Sequence, residues 1–232
     1  IAAEYGGAIW IRHCSNESFT LRYCSFSGNI GNTGGGIACT GNSSPDISQS
    51  TFSKNIANRG GGIYISSICE PVVSDCEFSS NTAESNGGGM YNAQSSVLLL
   101  RCSFTDNFGE TAGGLYNSGN PEVLHCDFSG NSSENKGAAI SNFNTLRTLI
   151  SHCSFRKNTA PNGAICNQYS TPIISNCVIQ DNTASSAGGG IFHFVSDIFP
   201  SDYPSELSDT IVCGNIPDQI DGNWNDNGNN YV

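Results

Sequence analysis

Four ionisable side chains, Asp75, Arg101, His125 and His152, each stand immediately before a cysteine, at intervals of 24 to 27 residues. A carboxylate, a guanidinium and two imidazoles on one line have the types needed for proton transfer or for holding a metal, and imidazole is the side chain that titrates near neutral pH. The line runs on as Tyr23, Gln49 and Asn176, which add no such chemistry, and its acid is not clustered beside its bases. Its plainer reading is a solvated face, with no catalytic set, no metal and no cofactor. A second line, Trp10, Tyr64, Tyr91 and Tyr116, offers aromatic surface of the kind that suits sugar rings or a protein partner. Its plainer reading is stacking between neighbours with no ligand.

Both lines come from an internal repeat. The aliphatic residues that follow the glycine clusters, Ile9, Ile37, Ile63, Met90, Leu115, Ile140, Ile165 and Ile191, are 25 to 28 residues apart and mark eight copies. Later in each copy comes Phe26, Phe52, Phe78, Phe104, Phe128 or Phe155, then Ile179. Three residues beyond stand Asn29, Asn55, Asn81, Asn107, Asn131, Asn158 and Asn182. Two residues before each ring is Cys24, Ser50, Cys76, Cys102, Cys126, Cys153 or Cys177, and three before that an aliphatic such as Val73 or Leu99.

A period near 25 is too short for two-helix repeats, and the leucine-rich skeleton is absent, which leaves a β-solenoid. Cysteine and ring lie two apart and share a face, whereas the upstream aliphatic must reach the same interior round a corner. The repeat therefore predicts at least two strands and two corners per coil. Glycine clusters and asparagine supply the left-handed conformations the corners need. Stacked about 4.8 Å apart, the rings, thiols and asparagines form ladders, because each coil's partner is its neighbour. The residue after each repeat aliphatic, Trp10, Ala38, Tyr64, Tyr91, Tyr116, Ser141, Cys166 and Phe192, should point outward. A second asparagine row, Asn92, Asn117, Asn142 and Asn167, should be structural.

"GGAI" at Gly6 to Ile9 and FxxN in six consecutive copies, Phe26/Asn29 through Phe155/Asn158, resemble the paired tetrapeptides of the polymorphic outer-membrane-protein repeats. Those repeats occur in surface adhesins of chlamydiae and in many exported bacterial proteins. The resemblance covers most of residues 1–192, although only the first copy reads GGAI, four of the others reading GGGI or GAAI, and no carboxy-terminal membrane barrel is expected. It implies an all-β, right-handed parallel β-helix of about eight coils, displayed outside the cell and binding host or neighbouring surfaces. More loosely the coil resembles that of pectate-lyase-like enzymes, which implies the alternative of a polysaccharide lyase or hydrolase, or a carbohydrate-binding module.

Composition sets further limits. Charged residues are 12% of the chain and the net charge is −11, so nucleic acid is not an expected partner. No apolar run is long enough to span a membrane. Eleven cysteines in a chain poor in Lys suggest export. The thiols of the repeat should form a buried stack, and any disulfide should come from Cys14, Cys39, Cys69, Cys166 and Cys213. Sequons stand at Asn16, Asn42 and Asn131. Asp221, Asn223 and Asn225 alternate like calcium ligands, but Asp226 occupies the position where such a loop needs glycine. A single β-helix domain is expected over 1–215, with an apolar arm inserted at 192–206 and a cap or tail over 216–232. The repeat begins without a preceding cap, which leaves an edge open to end-to-end association of the chain with itself. The expected protein is an extracellular, non-enzymatic scaffold, adhesin-like module or fibre subunit, with surface glycans or proteins as further partners.

Overall fold

The computed structural model describes residues 3–14, 19–194 and 205–232. One coil is typical of all. Ile63–Ile65 forms a strand, the chain turns, and Val72–Ser74, Glu77–Ser79 and Thr82–Asn86 follow before Met90–Ala93 begins the next coil directly above Ile63–Ile65. Each coil thus has four strands and four corners, where the repeat predicted at least two of each. Equivalent strands pair in parallel into four sheets of nine, nine, eight and eight strands. We refer to them by their contents: the tyrosine sheet (Ile63–Ile65 and equivalents), the aliphatic sheet (Val72–Ser74), the phenylalanine sheet (Glu77–Ser79) and the rim sheet (Thr82–Asn86). The architecture is a parallel β-helix of eight coils, about 40 Å long at the usual strand spacing.

Corners are made by single residues in the left-handed region. Lys54, Ser80, Asp106, Lys157 and Asp181, each immediately before a ladder asparagine, have φ between 53° and 57°. The asparagines themselves are not left-handed, contrary to the expectation, and serve as hydrogen-bonding groups instead. The glycine clusters divide their work. Gly87 takes φ 70° to turn the chain, and Gly88 lets the backbone pass so close to the rim sheet that a Cβ there would run into the Phe108 and Gly113 carbonyl oxygens.

Inside the coil the rings of Phe26, Phe52, Phe78, Phe104, Phe128 and Phe155 stack with centroids 4.5–5.0 Å apart. All but Phe26 are fully buried. Beside them runs the asparagine ladder. Asn107 donates from Nδ2 to Asn131 Oδ1 at 3.0 Å and to the Phe78 carbonyl at 2.9 Å, while its Oδ1 accepts the backbone N–H and the Nδ2 of Asn81, each at 3.0 Å. The pattern runs from Asn29 past Asn182 to Asn215, one rung beyond the sequence expectation, and ends on Gln219, whose Oε1 takes both donors of Asn215.

The repeat cysteines have an identifiable duty. Cys126 Sγ donates to the Leu124 carbonyl and accepts the backbone N–H of Cys102 from the neighbouring coil. Ser50 and Thr210 do the same with hydroxyls, which explains why the thiol can be exchanged for them. Among the described residues all eleven cysteines are free, so no disulfide forms within the group that could have supplied one.

At the downstream end, Ile220–Asp221 and Asn225–Asp226 extend the tyrosine and aliphatic sheets, and Ile216 and Tyr231 bridge to the other two. The calcium-like segment is therefore strand and corner, with Asp226 Oδ1 accepting from Gly228 N and Asn230 Nδ2. Of the 192–206 arm, residues 195–204 lie outside the described residues. Among the described residues no helix is long and apolar enough to cross a membrane.

His193 sits inward on the tyrosine sheet, directly above Asn167, with its Nδ1 3.2 Å from Ser205 Oγ. Burial lowers its pKa from the ordinary 6.5. The folded chain thus holds a neutral imidazole while the unfolded chain takes up a proton below 6.5. The stability this preserves is present above 6.5 and is lost as pH falls from there towards the depressed folded value. Urea midpoints measured about a unit above and a unit below 6.5 should differ more in the wild type than in His193→Asn, which places at this position the residue of the preceding coils. An equal drop in both would refute the assignment.

Candidate functional site

The ionisable row lies on the corner between the aliphatic and phenylalanine sheets. Tyr23, Gln49, Asp75, Arg101, His125, His152, Asn176 and, unremarked in the sequence, Asp209 all have φ between 48° and 56°. A left-handed corner residue throws its side chain outward, and all eight are exposed. Arg101 grips Asp75 through two bonds, Nε to Oδ1 at 2.7 Å and Nη2 to Oδ2 at 2.8 Å. That hydrogen bonding holds Asp75 below its usual range. His125 and His152 lie against each other, centroids 4.7 Å apart, and Ser151 Oγ is 2.9 Å from His152 Nδ1. Neither histidine is bonded to a carboxylate: of the two acids of the row, Asp75 is occupied by Arg101 and Asp209 accepts from Asn229 Nδ2 at 3.0 Å. Such a row has no base oriented by an acid and no enclosed space for a substrate.

The aromatic line is different from its sequence reading in two respects. First, it is not uniformly outward and open: Ala38, Ser141 and Cys166 are buried, and Tyr64, Tyr91 and Tyr116 are half-buried. The rim sheet meets the tyrosine sheet at an angle at the glycine corner, and the trough between them is hollowed out beside both ends of the tyrosine line. Its upstream part encloses about 470 Å³ beside Trp10, Arg12 and Tyr64, and its downstream part about 520 Å³ beside Tyr116, Lys136 and Gln168. Second, the rings stack on one another. Tyr64 and Tyr91 are 5.0 Å apart at 3°, and Tyr91 and Tyr116 5.1 Å apart at 5°. Both faces of Tyr91 are consequently occupied, and sugar-on-ring stacking is open only where the ladder ends. Burial raises the pKa of Tyr91 and Tyr116, so their hydroxyls stay protonated and available as donors.

Trp10 is the upstream ring. It stacks on Tyr5 at 4.8 Å, gives its indole N–H to Thr40 Oγ1 at 2.9 Å, and carries the Arg12 guanidinium 5.3 Å from its centroid. Arg59 stands 5.8 Å over the Tyr91 ring, and Lys136 donates to Gln168 Oε1 at 2.8 Å. Ion pairs among the described residues are limited to Arg22–Asp46 and Arg101–Asp75, so these three cations of the trough have no acid partner. Burial pushes the nearby Cys166 thiol up to about 12, with the Lys136 charge opposing.

Arg59 and Lys136 escaped the sequence reading. They belong to a row immediately before the left-handed corner residue, a glycine in every case but Ala112: Tyr5, Thr33, Arg59, Asn86, Thr111 and Lys136, which the strand register puts in line. That spacing could have been noticed. What it could not reveal is the angle at which the rim meets the tyrosine sheet. The second asparagine row is buried inside the coil as a structural ladder, with Asn92, Asn117 and Asn142 each donating to the next rung at 2.8–3.0 Å. Of the sequons, Asn42 is exposed, Asn131 is locked in the main ladder, and Asn16 lies outside the described residues.

Residues 7–158 match the family model of right handed beta helix regions. No curated protein and no solved structure matches the chain.

Proposed function

Because the chain belongs to the right-handed β-helix family, whose architecture is compatible with many activities, its function has to be argued from its surfaces, and we propose that it is an extracellular, non-enzymatic adhesive scaffold. The ligand held is a surface glycan, lying in the trough beside the tyrosine ladder. One observation carries this reading: the trough sets Trp10 and Tyr64 beside Arg12 at one end and Tyr116 beside Lys136 at the other, with Arg59 over the Tyr91 ring between them, and none of the three cations is in an ion pair among the described residues. The GGAI and FxxN tetrapeptides, which resemble those of the polymorphic outer-membrane-protein repeats, support display outside the cell.

The competing reading, a polysaccharide lyase or hydrolase working at Asp75, Arg101, His125 and His152, asks for a free base near a bound sugar. Asp75 is engaged with Arg101, and the row lies on an exposed corner away from the trough. A glycan array probed with the purified chain should give binding that Tyr64→Ala and Arg59→Gln weaken. Incubation with acidic polysaccharides should release no unsaturated product absorbing in the ultraviolet. A blank array removes the adhesive reading, and an absorbing product replaces it with the enzymatic one.

A further inference from the structure

The ring ladder of the tyrosine sheet breaks off after Tyr116. The next two coils place Ser141 and Cys166 in register with it, and a ring returns only at Phe192. Two missing rungs correspond to roughly 10 Å along the axis. The downstream hollow of the trough lies beside this break, and Tyr116, Glu134, Lys136, Ser141, Asn162 and Gln168 are among the residues that line it.

Two features there lack an internal use. Lys136 Nζ can donate three hydrogen bonds and gives one, to Gln168 Oε1 at 2.8 Å, with no carboxylate paired to it among the described residues. Tyr116 stacks on Tyr91 through one face and meets no ring with the other. A free aromatic face, a cation with donors to spare, and flanking amides from Asn162 and Gln168 are complementary to a pyranose that bears a carboxylate. Its apolar face fits the ring, its hydroxyls the amides and its carboxylate the ammonium. Glu134 also lines the hollow without pairing with Lys136, and Glu110 stands exposed on the rim nearby. A polymer with a carboxylate on every residue would set several of its charges against these two glutamates, whereas one acidic sugar at the end of a glycan can turn its single carboxylate to the Lys136 ammonium.

We infer that the break in the ladder is a subsite for a single terminal acidic sugar, stacked on Tyr116 and held by Lys136. This rests on the glycan-binding reading of the trough and names the residue class it captures. The test is titration calorimetry with N-acetylneuraminic acid, galacturonic acid, trigalacturonate and lactose. The acidic monosaccharides should bind, lactose should not, and trigalacturonate should bind no tighter than its monomer. Lys136→Gln should weaken binding roughly tenfold or more, the worth of a charge-assisted bond. Ser141→Tyr should fill the first missing rung, abolish binding and leave the melting temperature at or above that of the wild type. Lactose binding as tightly as the acids, trigalacturonate binding more tightly than its monomer, or acid binding untouched by both substitutions would overturn the subsite. Because the trough is tested separately by the array and by Tyr64→Ala, glycan binding that survives Ser141→Tyr overturns the subsite while leaving the adhesive reading in place.

Discussion

Asn107→Ala is expected to cost roughly 2–6 kcal/mol, because it orphans two buried donors at about 1–3 kcal/mol each. The backbone N–H of Asn81 and one hydrogen of its side-chain amide both end on Asn107 Oδ1, and the Phe78 carbonyl loses a donor as well. All three asparagines from Asn81 to Asn131 are 0% exposed, so water cannot replace the missing group. Against a typical domain stability of about 5–15 kcal/mol, the loss is a large fraction of the whole. The comparison is Asn135→Ala, whose amide binds Glu110 on the exposed rim and should change stability by about 0.5 kcal/mol or less. If denaturant melts of the two variants coincide, the ladder is ornament and the account of the corner is wrong.

Phe104→Ala is expected to cost about 3–5 kcal/mol, the range for removing a buried ring. The ring is clasped between Phe78 at 4.5 Å and Phe128 at 4.7 Å, and the strands above and below are fixed by backbone pairing, so the hole cannot collapse. For a chain of this size the drop in melting temperature should be on the order of 10 °C. Phe26→Ala should cost less, since Phe26 stacks on one ring and is 7% exposed where Phe104 is 0%. Equal losses at the two positions would show that burial along the stack is uniform and that the coil assignment is off.

The interval of about 25 residues made the stacking legible, because whatever repeats along the axis must meet its own kind. Phe104 on Phe128 and Asn107 on Asn131 follow from counting alone. The shape of the coil in cross-section does not follow, since it depends on where each short strand bends. His125 and His152 were rightly placed facing solvent, but as corner residues and not as members of a strand. Ala38, Ser141 and Cys166 keep the register of the aromatic line, as expected, but are buried, because a small side chain in a row of large ones is easily covered. Lys136 reaches Gln168 across the angle between two sheets, and no one-dimensional spacing records that angle.

Every amide in the main ladder donates downstream, from Asn29 towards Asn215, so the row has a direction. A directed row has a growing end, which would accept another rung indefinitely. Gln219 occupies that end. Only four residues beyond Asn215, it turns back, accepts both donors of Asn215 and returns its own Nε2 hydrogen to the Asn215 carbonyl at 3.2 Å. The longer side chain makes locally the contacts that another coil would make from above. Gln219 therefore works as a stop codon written in hydrogen bonds, ending the count of rungs.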